Sequence, residues 1–195
     1  MSIFILLIAL ALWGVVHSFL ASHLAKDLFH LKIGNMDFYR ITYNIFAAIS
    51  FLPILYLAAT LPNQLAYAVP APWNRVMLGG QLLSVILLVT AFLQTDSLSF
   101  VGLRQLFAEE KSGALVTRGL YRMVRHPLYT FGLLFIWLTP TVSQNSLTVY
   151  IGATIYTLIG AYFEERKLLR DFGEAYAVYK KSTPMLIPGL VFGKK

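Results

Sequence analysis

Four apolar runs, at 3–25, 41–61, 73–93 and 147–163, decide what this chain can fold into. Each meets or approaches the ~20 residues that a helix needs to cross a ~30 Å hydrocarbon layer at about 1.5 Å per residue. Inside such a layer every backbone N–H and C=O must be bonded within the protein, which selects helices. A fifth run, 127–143, is short and interrupted by Pro140, and can draw on residues 121–126 at one end. Pro53 falls inside the second run, where the sequence predicts a kink that neighbouring helices compensate. The expectation is an all-α, polytopic membrane protein of about five transmembrane helices. It reads as one membrane-embedded domain over 1–195, with three N-terminal spans in 1–93 and a core containing a helical hairpin in 94–195. No internal repeat or low-complexity segment interrupts it.

Composition agrees. Apolar residues make up 57% of the chain and charged residues 13%, against about 25% charged in a typical soluble domain. There is no cysteine, which excludes disulfides, thiolate nucleophiles and Cys-ligated metals. The net charge of +7 does not describe a nucleic-acid binder, because the cations are sparse and track the ends of apolar runs. The N-terminus has no basic region, and its apolar run is longer than that of a signal peptide, so it reads as a retained span.

The cations also orient the chain. Of the 16 Lys and Arg, all but Arg75 lie in or beside the connections 26–40, 94–126 and 164–195. All nine acidic residues lie there too. Cytoplasmic loops carry the Lys/Arg excess. The expected arrangement is an N-terminus outside and a C-terminus in the cytoplasm, with any chemistry on the cytoplasmic face.

Two constellations on that face stand out. In RHPLY, 125–129, Pro127 suits the first position of a helix, where its missing N–H costs nothing. Proline pushes the preceding residue towards extended geometry, so His126 is held at the cap. A helix start favours an anionic group, and Arg125 adds a fixed cation. Read alone, the stretch is equally an interfacial anchor with an aromatic belt residue, Tyr129. In EERKLLRDFGEAYAVY, 164–179, two carboxylates follow the last apolar run, and Leu168, Leu169, Phe172 and Tyr176 continue at helical spacing. This predicts a cytoplasmic helix. Glu164 and Glu165 point about 100° apart on it, so one can face a pocket while the other faces a basic neighbour or solvent.

GALVTRGLYRMVRHPLYTFGLL (113–134) and FEERKLLRDFGEAYAVYKKSTPMLIPG (163–189) resemble the isoprenylcysteine carboxyl methyltransferase and phospholipid methyltransferase superfamily. The shared pattern is G-x-Y-x-x-x-R-H-P-x-Y, a helical hairpin, then E-E-x-x-L-x-x-x-F-G-x-x-Y-x-x-Y. HSFLAS (17–22), YRITYNIFA (39–47), FLQTDSLSFVGLRQL (92–106) and PMLIP (184–188) are similar to its methanethiol S-methyltransferase-like, NnrU-related bacterial branch. The isoprenylcysteine enzymes carry an arginine for the substrate carboxylate where this chain has Gly160. The related sterol reductases, which use a nicotinamide, typically have Asn where this chain has Leu128.

The resemblance implies a membrane methyltransferase, in the bacterial cytoplasmic membrane, with S-adenosylmethionine as methyl donor and no metal. The acceptor it implies is a small thiol such as methanethiol, or another lipophilic nucleophile reached through the bilayer. Isoprenylcysteine or phospholipid methylation, a non-catalytic NnrU-like role and a reductase are the alternatives. By position, Tyr121, Arg125, His126, Pro127, Tyr129, Glu164 and Glu165 would bind the cofactor, with His126, Glu165 and His17 as catalytic candidates. Either His126 or His17 could take the thiol's proton, since histidine titrates near neutral pH. Gly113 and Gly119 would let a loop fold over the ligand. The tail 184–195 would return as a lid, leaving Lys194 and Lys195 in water. Tyr43, Asn44, Gln94, Asp96 and Arg104 fall at one predicted level, as a pocket mouth or as ordinary helix-end polarity. Gly152, Ala153, Gly160 and Ala161 read as close helix packing.

Overall fold

The computed structural model describes residues 1–33, 38–104 and 114–190. Gly113, Lys194 and Lys195 lie outside the described residues, as does the side chain of His23. Among the described residues there are eight α-helices: α1 (Ser2–Ala21), α2 (His23–Ile33), α3 (Tyr39–Thr60), α4 (Trp73–Gln94), α5 (Ser97–Val101), α6 (Pro127–Trp137), α7 (Gln144–Phe172) and α8 (Glu174–Ser182). Two short strands, β1 (Leu65–Ala68) and β2 (Thr141–Ser143), pair with each other. The chain is an all-α polytopic membrane protein in which α1, α3, α4 and α7 are long and apolar enough to cross a bilayer.

Three boundaries differ from the sequence expectation. The first span ends at Ala21, because Ser22 takes an extended conformation and α2 begins as a separate helix at His23. The fifth segment, expected over 127–143, is helical only for the 11 residues of α6. At 1.5 Å per residue that is about 16 Å, roughly half the hydrocarbon thickness. And 164–172 is no separate cytoplasmic helix: α7 runs unbroken through Glu164 and Glu165 for 29 residues, until Gly173 at φ +54° turns the chain into α8. Pro53 sits within a continuous α3.

The chain divides into two compact units. The first comprises Met1–Ala66, Ser97–Ser112 and Val142–Gly152. In it α1 packs on α3, with Trp13 Nε1 donating to Ser50 Oγ at 3.0 Å and the Tyr39 hydroxyl donating to the Leu20 carbonyl at 2.5 Å. Arg40 and Asn44 at the start of α3 donate to the carbonyls of Ser99 and Val101, both at 2.8 Å, and so hold α5. The buried Asn145 side chain donates to the carbonyls of Ala58 and Leu61, which the end of α3 leaves without helical partners. Gly152 touches α1 closely: a Cβ there would lie 2.8 Å from Leu10 Cδ1. The same reading fails at Gly160, where a Cβ would meet nothing within 4 Å.

The second unit comprises Tyr67–Asp96, Gly113–Thr141 and Ala153–Lys195. Helices α4 and α6 pack along one another, with Gly80 facing Leu138 and Gly132 facing Leu88. Because α6 stops early, its terminal carbonyls need donors at apolar depth. Gln81 of α4 supplies one, donating Nε2 to the Phe135 carbonyl at 2.9 Å and to Thr139 Oγ1 at 3.1 Å. The Tyr67 hydroxyl donates to the Thr139 carbonyl, and Val69 N–H to the Pro140 carbonyl at 2.9 Å.

Candidate functional site

The site is built where α6 begins. Pro127 opens the helix at its first turn, as its fixed φ suits. His126 is the cap residue at φ −123° and ψ 65°, and its carbonyl accepts the Thr130 N–H at 2.9 Å. The N–H groups just before the helix do not face water. Arg125 N–H donates to the Pro184 carbonyl at 2.9 Å and His126 N–H to the Met185 carbonyl at 3.2 Å. Thr130 Oγ1 donates to the Leu186 carbonyl at 2.8 Å. The segment 184–186 is thereby strapped alongside the start of α6.

The unbroken α7 carries the paired acids to the same place. Arg125 donates from Nε to Glu165 Oε1 at 2.6 Å, and its Nη2 lies 2.5 Å from the same oxygen. The His126 Nε2 lies 3.3 Å from that oxygen, and Lys180 Nζ of α8 reaches Glu165 Oε2 at 2.8 Å. The Arg125 Nη1 donates to the carbonyls of Lys180 and Thr183. Both charged side chains are buried, at 8% exposure for Arg125 and 6% for Glu165. An isolated carboxylate at such a place would be very costly, so the cations around Glu165 are what permit its burial.

Glu164 faces outward, with 43% of its side chain exposed. It accepts a hydrogen bond from the Tyr129 hydroxyl at 2.8 Å, and its Oε2 lies 3.6 Å from His126 Nδ1. The rings of His126 and Tyr129 stack, with centroids 5.4 Å apart and planes 13° from parallel. The buried imidazole therefore stands with one nitrogen towards each carboxylate. Part of this corner, Arg125 and Glu165, is committed to protein partners. The other carboxylate, Glu164, is exposed.

Tyrosines close the far side. The Tyr179 hydroxyl donates to the Tyr121 carbonyl, and the Tyr176 and Tyr179 rings meet edge to face. Burial pushes the Tyr121 phenol up to about 12, with the negative charge of Glu164 and then Tyr179 adding to it. Burial likewise pushes Tyr179 up to about 12 and raises Tyr176 further. All three are neutral phenols at neutral pH, able to bond but not to act as bases.

The structure thus brings Tyr121, Arg125, His126, Pro127, Tyr129, Glu164 and Glu165 together within the second unit. His17 belongs to the first unit, where it stacks on Trp13 at 4.6 Å and its ring nitrogens face the Tyr43 hydroxyl, Nε2 at 2.7 Å. Tyr43 and Asn44 are thereby engaged inside that unit. Gln94 accepts the Leu120 N–H at 2.9 Å and supports the 3-10 turn Gly119–Arg122 that carries Tyr121. Gly119 has φ +61°, and a Cβ there would run into the Gln94 amide. Sequence reasoning did not find Lys180 or the carbonyls of 183–186. Lys180 is one cation of a basic pair near the end of α8, and nothing in its spacing from Glu165 marks it.

Comparison with known proteins places these residues in context. The family model described as phospholipid methyltransferase matches residues 75–175. The chain is similar to methanethiol S-methyltransferase 2 of Bradyrhizobium diazoefficiens, at 29% identity over 195 residues, covering 97% of this chain and 74% of that protein. It is similar to the methanethiol S-methyltransferase of Mycobacterium tuberculosis, at 29% over 188 residues, covering 93% and 76%. To the enzyme of the same name from Crocosphaera subtropica it is 38% identical over 136 residues, covering 63% of this chain and 52% of that protein. No solved structure gives a significant match.

Proposed function

Because the chain belongs to the phospholipid methyltransferase family, we propose that it is a membrane-embedded methyltransferase that methylates a small thiol such as methanethiol, or another lipophilic nucleophile, from S-adenosylmethionine. The observation that carries this reading is the corner itself. Side chains from the start of α6 and from α7, some 40 positions apart in the chain, converge on the two carboxylates of Glu164 and Glu165. The relatives named methanethiol S-methyltransferase support the thiol acceptor.

The donor set fits the proposed cofactor. The half-exposed Glu164 suits an ammonium or ribose hydroxyls, and the stacked His126 and Tyr129 rings suit an adenine face or a sulfonium. Arg125 is not available to a ligand carboxylate, since its Nε, Nη1 and Nη2 are engaged. Its work is to hold Glu165, and with it α7, against the start of α6. When bound, S-adenosylmethionine would supply an electrophilic methyl group to the acceptor thiolate, with S-adenosylhomocysteine as the leaving group. The protein's part is alignment and exclusion of water, and removal of the thiol's proton. His126 and His17 are the two residues proposed for that proton.

Gly160 supports a neutral acceptor. A Cβ there would meet nothing within 4 Å, and the chain carries no arginine at that position. With all nine acidic residues and all but one of the 16 Lys and Arg in the connections expected on one side, we assign the site to the cytoplasmic face of a bacterial inner membrane, the side from which a cytosolic donor arrives.

Titration of the purified protein with S-adenosylmethionine, followed by headspace detection of dimethyl sulfide after addition of methanethiol, tests the reading. Saturable binding and a volatile product are expected. Failure to bind S-adenosylmethionine rejects it. Binding without turnover of any thiol assigns the chain to another acceptor or to a non-catalytic role. His17→Gln and His126→Gln test the base: turnover lost with donor binding kept assigns the proton to His17, whereas His126→Gln, whose ring also lines the proposed donor site, should weaken binding as well as turnover.

A further inference from the structure

Helix α2 carries an apolar stripe that faces away from its own unit. Leu24, Leu28 and Leu31 recur at i, i+4 and i+7, on one face of the helix. They are 60%, 45% and 80% exposed. A different side of α2 is fixed to the protein: Ala25 is buried, and the Phe29 ring meets the Tyr39 ring edge to face at 5.0 Å. The helix is also tied at its start, where Ala25 N–H donates to Ser22 Oγ at 3.3 Å and Lys26 N–H to the Ser22 carbonyl at 3.3 Å. The leucines therefore do not turn inward to complete a core.

Their surroundings name the occupant. At 100° per residue, Asp27 and Lys32 lie about 70° to either side of the leucine stripe, and both are exposed. A narrow apolar stripe edged by charges on both sides is the pattern of a helix lying in a membrane surface, with its apolar side sunk ~5–10 Å and its charges in the head groups. The stripe also follows closely in the chain on an exposed apolar surface of a candidate span. Val15, Val16 and Phe19, near the end of α1, are exposed on a helix long enough to span, and Leu24 follows five residues after Phe19.

We propose that α2 is an interfacial helix whose Leu24, Leu28 and Leu31 insert into the leaflet at which α1 ends. The extended Ser22 is what permits this, because it turns the chain off the α1 axis. A stripe of three leucines there resists axial sliding of α1 in either direction.

The absence of cysteine makes the test clean. Leu24→Cys, Asp27→Cys, Leu28→Cys, His30→Cys and Leu31→Cys variants each give one site for a nitroxide label. The labelled protein is placed in vesicles of phosphatidylethanolamine and phosphatidylglycerol, and collision of each label with oxygen is compared with collision with an aqueous nickel chelate. Oxygen is expected to dominate at 24, 28 and 31, and the chelate at 27 and 30. Chelate dominance at all five sites overturns the proposal in favour of an aqueous helix. Low collision with both reagents at the leucines overturns it in favour of a protein contact, such as a second copy of the chain. In case labelling disturbs the fold, Leu31→Trp gives an independent reading. Its added fluorescence is expected to be quenched most by lipids brominated high on the acyl chain, and no quenching rejects the insertion.

Discussion

Two nitrogens of Arg125, Nε and Nη2, end on a single oxygen of Glu165, at 2.6 and 2.5 Å. This leaves Glu165 Oε2 for Lys180, and Arg125 Nη1 for the carbonyls of Lys180, near the end of α8, and of Thr183, just after it. One residue thus ties the start of α6 to α7 and to the end of α8. The geometry makes the buried pair a clamp between these helices and leaves Glu164 as the exposed carboxylate, the one assigned to the ligand in the proposed site.

Removing half of a buried pair strands the other charge, at a cost of about 3–5 kcal/mol. Arg125→Ala is therefore expected to lower the thermal midpoint in detergent strongly, and S-adenosylmethionine binding is lost with the fold. Lys180→Met is the contrast. Lys180 is 47% exposed, and an exposed ion pair contributes about 1 kcal/mol or less. Equal midpoints for both variants would contradict the clamp.

Tyr129→Phe removes the hydroxyl that donates to Glu164. Such a bond contributes about 0.5–1.5 kcal/mol to stability, so the unfolding midpoint should fall slightly, and donor affinity should fall by up to about 10-fold if Tyr129 holds Glu164 in place for the ligand. Glu164→Ala should weaken binding further. Calorimetric titration measures both, and wild-type affinity in the pair would remove Glu164 from the proposed donor site.

Gly119 has a left-handed backbone that a side chain resists by about 1–2 kcal/mol, and its missing Cβ is where the Gln94 amide sits. Gly119→Ala should destabilise by at least that amount. Adding Gln94→Ala relieves the collision but not the backbone strain, so the double variant should recover only part of the loss in a thermal melt.

The raised phenols give a pH signature. A folded pKa above the unfolded one contributes stability that is complete below the unfolded value near 10 and disappears as pH climbs through the folded value. Tyr121 and Tyr179, both pushed up to about 12 by burial, should make the protein lose stability progressively between about pH 10 and 12. Phenolate absorbance should rise late for these two. A melting temperature flat across that window would contradict their burial.

Much of this was legible in the sequence because hydrocarbon leaves few choices. Runs of about 20 apolar residues specify helices whatever their neighbours are, and α3, α4 and the apolar part of α7 fall close to their expected places. The fifth segment was less legible. Its length suggested a span, but Pro140 and the capping of α6 by Gln81 and Tyr67 make it half helix and half extended chain. Such capping depends on a residue some 55 positions away. The convergence of RHPLY with Glu-Glu could be anticipated from spacing and resemblance. The division of labour between the two acids could not, because it is decided by Lys180 and by main-chain carbonyls that carry no side-chain signal. Gly160 likewise looked like a packing residue until the space around it was visible.

The strap at 184–186 has a consequence for biogenesis. The amides of Arg125 and His126 wait for carbonyls that are translated about 60 residues later. A nascent chain can insert its four long helices and begin α6, yet it holds an unfinished corner until Leu186 leaves the ribosome. Chains halted by a premature stop after α7 would sit in the membrane with their helices in place and their site unassembled.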